Sequence, residues 1–252
     1  MRQNAAPMGL ARLAGGLARL LMPLLLAGPA LAGDRALADF IGYSDNGRYF
    51  AFEEFGVHDG SGFAYSNIYV IDLTTDSWVV GTPVRAEAKN EDTTLAAIRA
   101  AAQGDAKPAL EAMGITVAAD IAALVGDGVP DNDGTSLRFG SPSFVAPGAV
   151  SGDYDLKLSS FPVKAASPCE AWFGEPPLGY ELNITAAGGS TRLLHRDATL
   201  PRSRGCPLQY RLYGVVLPFE AGSIAQGVAI ISVYPGGFEG PDRRFIAVPL
   251  GL

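Results

Sequence analysis

The sequence has very little cysteine and histidine, with two of each among its 252 residues. It therefore lacks the clusters of these side chains at ligand spacing that zinc sites require. A Ser-His-Asp or Cys-His arrangement would have to use His58 or His195, and no Gly-x-Ser-x-Gly turn is present to hold a serine nucleophile. P-loop and dinucleotide-binding glycine patterns are also missing. We assign no catalytic residue and no cofactor-binding residue from the sequence.

Positive charge is also scarce, with 19 Lys and Arg residues against 26 Asp and Glu residues. Three of the arginines precede residue 33, so the remaining chain carries 16 basic and 26 acidic residues and a formal charge of −10. Such a balance argues against a nucleic-acid surface, which requires a basic patch, and against electrostatic docking on anionic lipid. Acidity of this kind is typical of a soluble exported protein.

Residues 1–32 have the three parts of a secretory signal peptide. Arg2, Arg12 and Arg19 give a positive leader, and the stretch 20–27 is apolar. Ala30 and Ala32 are the small residues that signal peptidase needs, which predicts cleavage between Ala32 and Gly33. The apolar run is shorter than the roughly 20 residues of a spanning helix, and we expect no transmembrane segment in the mature chain. The Ala-rich, Arg-over-Lys composition suggests a bacterium, so we expect the protein in the periplasm or secreted.

Cys169 and Cys206 both follow the signal, and an isolated pair in an oxidising compartment usually forms a disulfide. The bridge would close a loop of about 38 residues. A metal pair and a catalytic thiol are the alternatives, and the wide spacing makes a weak metal signal.

Residues 33–90 predict a four-stranded antiparallel meander, with apolar stretches at 39–44, 49–57, 67–73 and 78–84. Asn46-Gly47 in the first turn is a strong hairpin signal. The segment resembles one blade of a TolB-type β-propeller in Ser44, Asp45, Gly47 and the stretches 49–52 and 68–73. No second copy follows, so the resemblance implies a lone blade-like sheet whose faces other parts of the chain must cover.

Residues 91–135 predict a helical insert followed by an acidic loop. Leu95, Ile98 and Ala102 lie on one face of a strongly helical segment. A short helix from Lys107 to Met113 and a third from Val117 to Val125 would complete a small helical hairpin packed on the meander.

From Ser136 onward the pattern predicts strands again, and residues 136–252 should form a β-sandwich-like region. The seven candidate strands are Ser136–Phe144, Tyr154–Val163, Tyr180–Ala186, Thr191–His195, Gln209–Leu217, Val228–Tyr234 and Arg244–Val248. The predicted fold class is therefore mainly β, with a four-stranded antiparallel meander, a small helical insert and a C-terminal β-sandwich-like part.

The run from Ile231 to Phe245, the stretch from Gly42 to Leu73 and the export signal are together similar to a bacterial family of predicted secreted proteins. That family is catalogued as domain of unknown function 2259. The resemblance covers nearly the whole mature chain. It implies export and supplies no catalytic residues, because the family has no established activity.

The acidic loop at 126–134 resembles the calcium repeats of extracellular proteins such as thrombospondin type 3 modules. Asp127, Asp131 and Asp133 could supply the hard oxygens that calcium prefers. The cluster is single, and Val129 stands where the first ligand of an EF-hand would be. Calcium is the one cofactor we consider, and a plain solvated linker is the alternative.

Two functions from different classes remain open. A non-enzymatic binding or interaction module of the cell envelope, with an envelope protein or a polysaccharide as its partner, should show a flat or edge-exposed surface. An envelope hydrolase acting on carbohydrate should show a concave pocket in which Asp, Glu or His side chains converge with shifted pKa values. Glu53 and Glu54 cannot form the required carboxylate pair, because neighbours on a strand point to opposite faces. A weak calcium-binding structural protein is a further alternative.

Overall fold

A computed structural model describes residues 33–126, 133–237 and 240–251 of the chain. The predicted signal peptide lies outside these ranges, and so does most of the acidic loop. The residues from Gly33 onward form one compact unit. Its two helices lack the length and apolar character that crossing a bilayer requires, as far as the described ranges extend.

The first sheet contains the predicted antiparallel meander and is extended by two further strands. The turn after β1 closes as the Asn-Gly pattern predicts, with Gly47 at φ +64°. The expected fourth strand at 78–84 is wrong in its bounds, because the chain turns between Val79 and Thr82 and then pairs with β3 again. Sheet 1 consists of β1 (Leu37–Ser44), β2 (Tyr49–Val57), β3 (Ala64–Asp72), β4 (Ser77–Trp78), β5 (Val84–Glu87) and β6 (Ile115–Val117).

One helix, α1 (Leu95–Ala112), takes the place of the predicted helical hairpin. The Thr94 side chain accepts a hydrogen bond from the Ala97 N–H at its start. The third predicted helix, 117–125, is wrong, because this segment forms strands β6 and β7 (Ala119–Leu124). These strands pair with β1 and with β12 (Pro207–Pro218), and the pairing overrides the helical propensity of the alanines.

The seven strands predicted after residue 135 are all present, and they divide between two sheets. Sheet 2 has the order β11-β10-β9-β8, and sheet 3 has the order β14-β13-β12-β7. A short helix, α2 (Cys169–Phe173), connects β9 to β10. The bounds are β8 (Ser136–Pro142), β9 (Val150–Pro162), β10 (Leu178–Ala186), β11 (Thr191–Arg196), β12 (Pro207–Pro218), β13 (Val228–Pro235) and β14 (Arg244–Pro249).

Sheet 3 is the central layer of the molecule, because both of its faces are buried. Val228 and Ile230 of β13 pack into the core shared with sheet 1, which includes Phe50. Ala229 and Ile231 pack into the core shared with sheet 2. The first predicted β region therefore packs, through sheet 1, on a central sheet that the second region mostly supplies.

Helix α1 covers the remaining face of sheet 1. Ala102 and Ala106 pack against Ile68 of β3 in a small apolar cluster. The layers are thus helix, sheet 1, sheet 3 and sheet 2, a mainly β and sandwich-like arrangement.

Candidate binding cleft

A cleft of about 880 Å³ lies along β14, the edge strand of the central sheet, and we call it the edge cleft. Strands β3 to β5 of sheet 1 form one wall. The other wall comes from β10, β11 and the segment around the disulfide. Its floor is the stretch from Arg244 to Val248 in β14.

Both tryptophans of the sequence line the edge cleft. Trp78 of β4 is 45% exposed, and Trp172 of α2 is 62% exposed. Trp78 packs edge-on against Tyr69, with the ring centroids 5.4 Å apart. Large exposed aromatic rings inside a concave site are typical of ligand contact surfaces, because leaving them in water is unfavourable.

The disulfide positions one wall of the edge cleft. Cys169 and Cys206 are bonded in the structure, as the sequence predicts. The bond joins α2, which carries Trp172, to the start of β12. The segment from Arg202 to Cys206 therefore lies beside Trp172 in the same wall.

His195 of β11 stands at the centre of the first charged cluster in the cleft. Its Nε2 lies 3.0 Å from Asp197 Oδ1, and its Nδ1 lies 3.7 Å from Asp76 Oδ2. The hydrogen bond to Asp197 and then the nearby Asp76 carboxylate raise the pKa of His195 to about 9. The His195 ring stacks on Tyr180, with centroids 4.7 Å apart.

Asp197 is the buried anchor of this first cluster. It accepts hydrogen bonds from Arg204 Nη1 at 2.6 and 2.7 Å and from the Tyr180 N–H at 3.0 Å. Burial alone would raise the pKa of Asp197. The hydrogen bonds from His195 and Tyr180 and the charge of Arg204 outweigh burial, and the pKa is lowered.

The second histidine forms a cluster of the same design at another part of the cleft. His58 bonds Asp34 through Nδ1, and its Nε2 lies 3.6 Å from Glu87 Oε1. Its ring stacks on Tyr65 with centroids 4.5 Å apart, and Arg244 lies 5.1 Å from the same tyrosine ring. Each histidine thus lies between two carboxylates and on a tyrosine that also contacts an arginine.

Within the second cluster Tyr65 is buried and Asp34 is partly buried. Burial would raise the pKa of Asp34, but hydrogen bonds from His58 and from the Asp59 N–H lower it overall. Burial raises the pKa of Tyr65 to about 12. The Tyr65 hydroxyl is buried and finds no hydrogen-bond partner among the described residues.

Glu53 and Glu54 point to opposite faces of β2, as the sequence predicts. Glu53 faces α1 and accepts hydrogen bonds from Arg99 at 2.7 and 2.9 Å. Glu54 faces the edge cleft, where it accepts from Arg244 at 2.9 Å and from the Phe245 N–H at 2.8 Å. The two carboxylates therefore serve separate ion pairs.

The candidate site is concave and brings together histidines and carboxylates with shifted pKa values, as the hydrolase alternative predicts, and it also contains the edge strand β14, as the binding alternative predicts. The structure brings both histidines into one cleft, which the sequence did not indicate. Asp197 is two residues from His195, but the other carboxylate partners, Asp76, Asp34 and Glu87, come from distant turns and strands, so no local motif marks a complete cluster. The two tryptophans are the residues in the sequence that come nearest to indicating the cleft. That both are exposed and line the same site is seen only in the folded structure.

The calcium prediction stays a prediction. Asp127 and Asp131 lie outside the described residues, and Asp133 is exposed with φ +54°. Within the described ranges, no three His, Cys, Asp or Glu side chains are grouped to hold a metal ion.

Comparison with known proteins gives one family. A family model described as "Predicted secreted protein (DUF2259)" matches residues 51–250, which include every strand from β3 to β14. No curated protein matches the chain.

Proposed function

Since this chain belongs to the family of predicted secreted proteins with domain of unknown function 2259, we propose that it acts in the bacterial periplasm as a non-enzymatic binding module. Its partner is an envelope component that occupies the edge cleft. The proposal includes cleavage before Gly33. A side chain at position 33 would have its Cβ 2.4 Å from the Pro241 carbonyl oxygen, so the predicted first mature residue fits where only glycine does. Intact-mass measurement of protein from the periplasmic fraction tests the cleavage site.

The observation that supports binding most directly is the pair of exposed tryptophans in one cleft. Trp78 and Trp172 come from opposite walls and offer aromatic surface on both sides of a bound group. Binding sites are concave, with apolar and aromatic walls and a few convergent polar groups. The edge cleft has this composition.

The protonation states in the cleft favour binding over acid–base catalysis. With a pKa of about 9, His195 keeps its proton at neutral pH and cannot serve as a general base. Asp34 and Asp197 have lowered pKa values, so neither carboxyl holds a proton to donate. Arginine and histidine partners hold these groups in fixed positions, which suits a rigid recognition surface.

A carbohydrate hydrolase remains the second candidate, because a concave pocket with convergent histidines and carboxylates is what that function predicts. Asp76 is the exposed carboxylate beside His195 and would be the reacting carboxylate of such a hydrolase. Release of reducing ends from envelope polysaccharide by the wild-type protein, and its loss in Asp76→Asn, would replace the binding proposal with this one.

Site-specific photo-crosslinking in cells tests the binding proposal. The crosslinking amino acid replaces Trp172 in one strain and Phe144 in a control strain. Phe144 is 83% exposed, more than Trp172, and does not line the edge cleft, so it controls for crosslinking that follows from solvent exposure alone. Crosslinked species are identified by mass spectrometry of the envelope fraction.

We expect one stoichiometric crosslinked species from position 172 and none from position 144. Substitution of Trp78 by alanine should remove the crosslink at 172, since both rings contact the same bound group. Equal crosslinking at both positions, or none at 172, contradicts the proposal.

A further inference from the structure

Strand β14 brings an open sheet edge into the edge cleft. It pairs with β13 on one side only, and no strand of the described chain pairs with its other side. Unpaired strand edges are templates for another extended chain, and proteins usually cover or interrupt them. In this protein the open edge lies at the floor of a cleft lined with aromatic rings.

The direction of each backbone group on β14 follows from its known hydrogen bonds. The Phe245 N–H bonds Glu54, and the Arg243 N–H bonds the Asp34 carbonyl, so both point away from β13. Groups alternate along an antiparallel strand whose register with β13 has no irregularity. The backbone groups of Ala247 and Pro249 therefore also point away from β13.

Both ends of the outward edge are already covered. The segment Asp34–Ala36 pairs with Arg243 at one end. At the other end Pro249 has no N–H, and Arg192 bonds the Leu250 and Gly251 carbonyls. The Phe245 N–H donates its hydrogen bond to Glu54.

What remains open is the Phe245 carbonyl with the N–H and carbonyl of Ala247, for which the described chain offers no partner. Along this edge one N–H donor lies between two carbonyl acceptors, with the spacing of a β-strand. The backbone of one extended peptide can form hydrogen bonds with all three groups. Ala247 is also 6% exposed, so these groups lie within the protein surface and not on its outside.

The charge around the cleft indicates the character of such a peptide. Asp76 and Glu87 are engaged with the two histidines. Arg85 and Arg202 also line the cleft, are exposed, and have no carboxylate partner among the described residues. Asp242 also lines the cleft, so its charges nearly balance, but these two arginines remain available to acidic side chains of a bound chain.

We propose that the occupant of the edge cleft is an extended, acidic polypeptide segment that adds a strand to β14 at Ala247. The inference rests on the proposed binding function and specifies its partner class. Backbone hydrogen bonds to Phe245 and Ala247 give affinity, and the tryptophans and Arg202 select side chains, as in other cases of strand addition. A polysaccharide could stack on the tryptophans but would have no use for the strand edge.

The first test needs no ligand. Amide hydrogen exchange of the mature protein, followed by NMR, should show the Ala247 amide exchanging much faster than those of Ile246 and Val248, which bond β13. Slow exchange at Ala247 in the free protein would mean that the edge is already paired and would overturn the inference.

The second test uses a displayed library of short random peptides selected on the wild-type protein. Selected sequences should be rich in Asp and Glu, and adding one should protect the Ala247 amide from exchange. Ala247→Pro removes an outward N–H, as Pro249 does naturally, and adds ring atoms at a buried position; it should weaken binding at least about tenfold. Should Ala247→Pro fail to fold by circular dichroism, the exchange protection and the charge variants below decide the question.

Charge reversal supplies the matched control. Arg202→Glu should weaken peptide binding about tenfold. Lys89→Glu makes the same charge change at an exposed position outside the cleft and should leave binding unchanged. Equal weakening by both variants, or peptide binding that leaves Ala247 unprotected, overturns the inference.

The outcomes also separate this inference from the proposed function. Retention of envelope polysaccharide that depends on Trp172 and is unaffected by Ala247→Pro overturns the peptide inference and keeps the binding function. If position 172 gives no crosslink in cells, both the peptide inference and the proposed binding function are overturned.

Discussion

His195 shows how a single residue couples the cleft to pH. Two carboxylates, Asp197 and Asp76, hold its proton in the folded protein up to a pKa of about 9. In the unfolded chain its pKa is near 6.5. The proton therefore stabilises the fold fully below pH about 6.5, and this stabilisation is lost as the pH rises to about 9.

We expect the wild-type free energy of unfolding to fall by about 1–2 kcal/mol between these pH values, after allowing for the partial exposure of the ring. His195→Gln should remove this slope. Urea unfolding of both proteins across the range gives the comparison, and parallel profiles would contradict the expectation.

Glu53 is fully buried and joins α1 to sheet 1 through Arg99. Removing one partner of such a pair leaves the other without compensation. We expect Glu53→Ala to lower the free energy of unfolding by about 2–3 kcal/mol, since Arg99 keeps Asp39 and some solvent contact.

Glu111→Ala is the matched control for Glu53→Ala. Its pair with Lys107 is exposed on the same helix and should contribute less than about 0.5 kcal/mol. Similar losses for the two variants in urea unfolding would show that Glu53 makes no special contribution.

Residue types alone identified the disulfide but neither charged cluster. Two cysteines in an exported chain have one partner each, so their pairing follows from counting. Asp76 and His195 come from a turn of sheet 1 and a strand of sheet 2, and only the stacking of the sheets brings them together. Sequence periodicity carries no information on such a contact.

At the scale of elements, α1 contains an internal Gly104 and Pro108, which are both unfavourable in a helix. A Cβ at Gly104 would meet no atom within 4 Å. Gly104→Ala should therefore raise the free energy of unfolding by about 0.5–1 kcal/mol through helix propensity.

Gly114 has equal space around it but a φ of +65°, just after the helix ends. Gly114→Ala should be destabilising by about 1 kcal/mol, since the left-handed conformation disfavours a side chain. Thermal unfolding of the two variants should give shifts of opposite sign, and shifts of the same sign would refute this account of the helix end.

The elements that sequence analysis predicted correctly are those whose pattern is local. Alternation in the stretch from Tyr154 to Leu158 and the turn at Gly47 are examples. The segment 115–124 could not be predicted, because its alanines favour a helix until β1 and β12 offer hydrogen-bonding partners. Its strands depend on chain segments far away in the sequence.

For the whole molecule, the disulfide closes a loop that contains two strands of sheet 2 and one wall of the cleft. Replacing both Cys169 and Cys206 by serine should lower the free energy of unfolding by about 3–4 kcal/mol, through the added freedom of the unfolded chain. Urea unfolding measures the loss.

The fluorescence of Trp172 in the same disulfide-free variant should shift toward that of a solvated indole, because its helix is released. Wild-type protein treated with reductant is the matching sample. Unchanged stability in both would mean that packing alone holds α2 in place.

The central sheet also bears on how the protein reaches its compartment. It combines β7 with β12 to β14, so the last strand of the chain is needed to complete it. Until β14 arrives, Phe50 and Phe52 of sheet 1 and Leu182 of sheet 2 lack part of the surface that buries them. A chain with such late, long-range pairing folds slowly. We expect the chain to stay unfolded, and so able to pass through a secretion channel, while β14 is missing. The order of its strands would then delay folding until the chain has crossed the membrane.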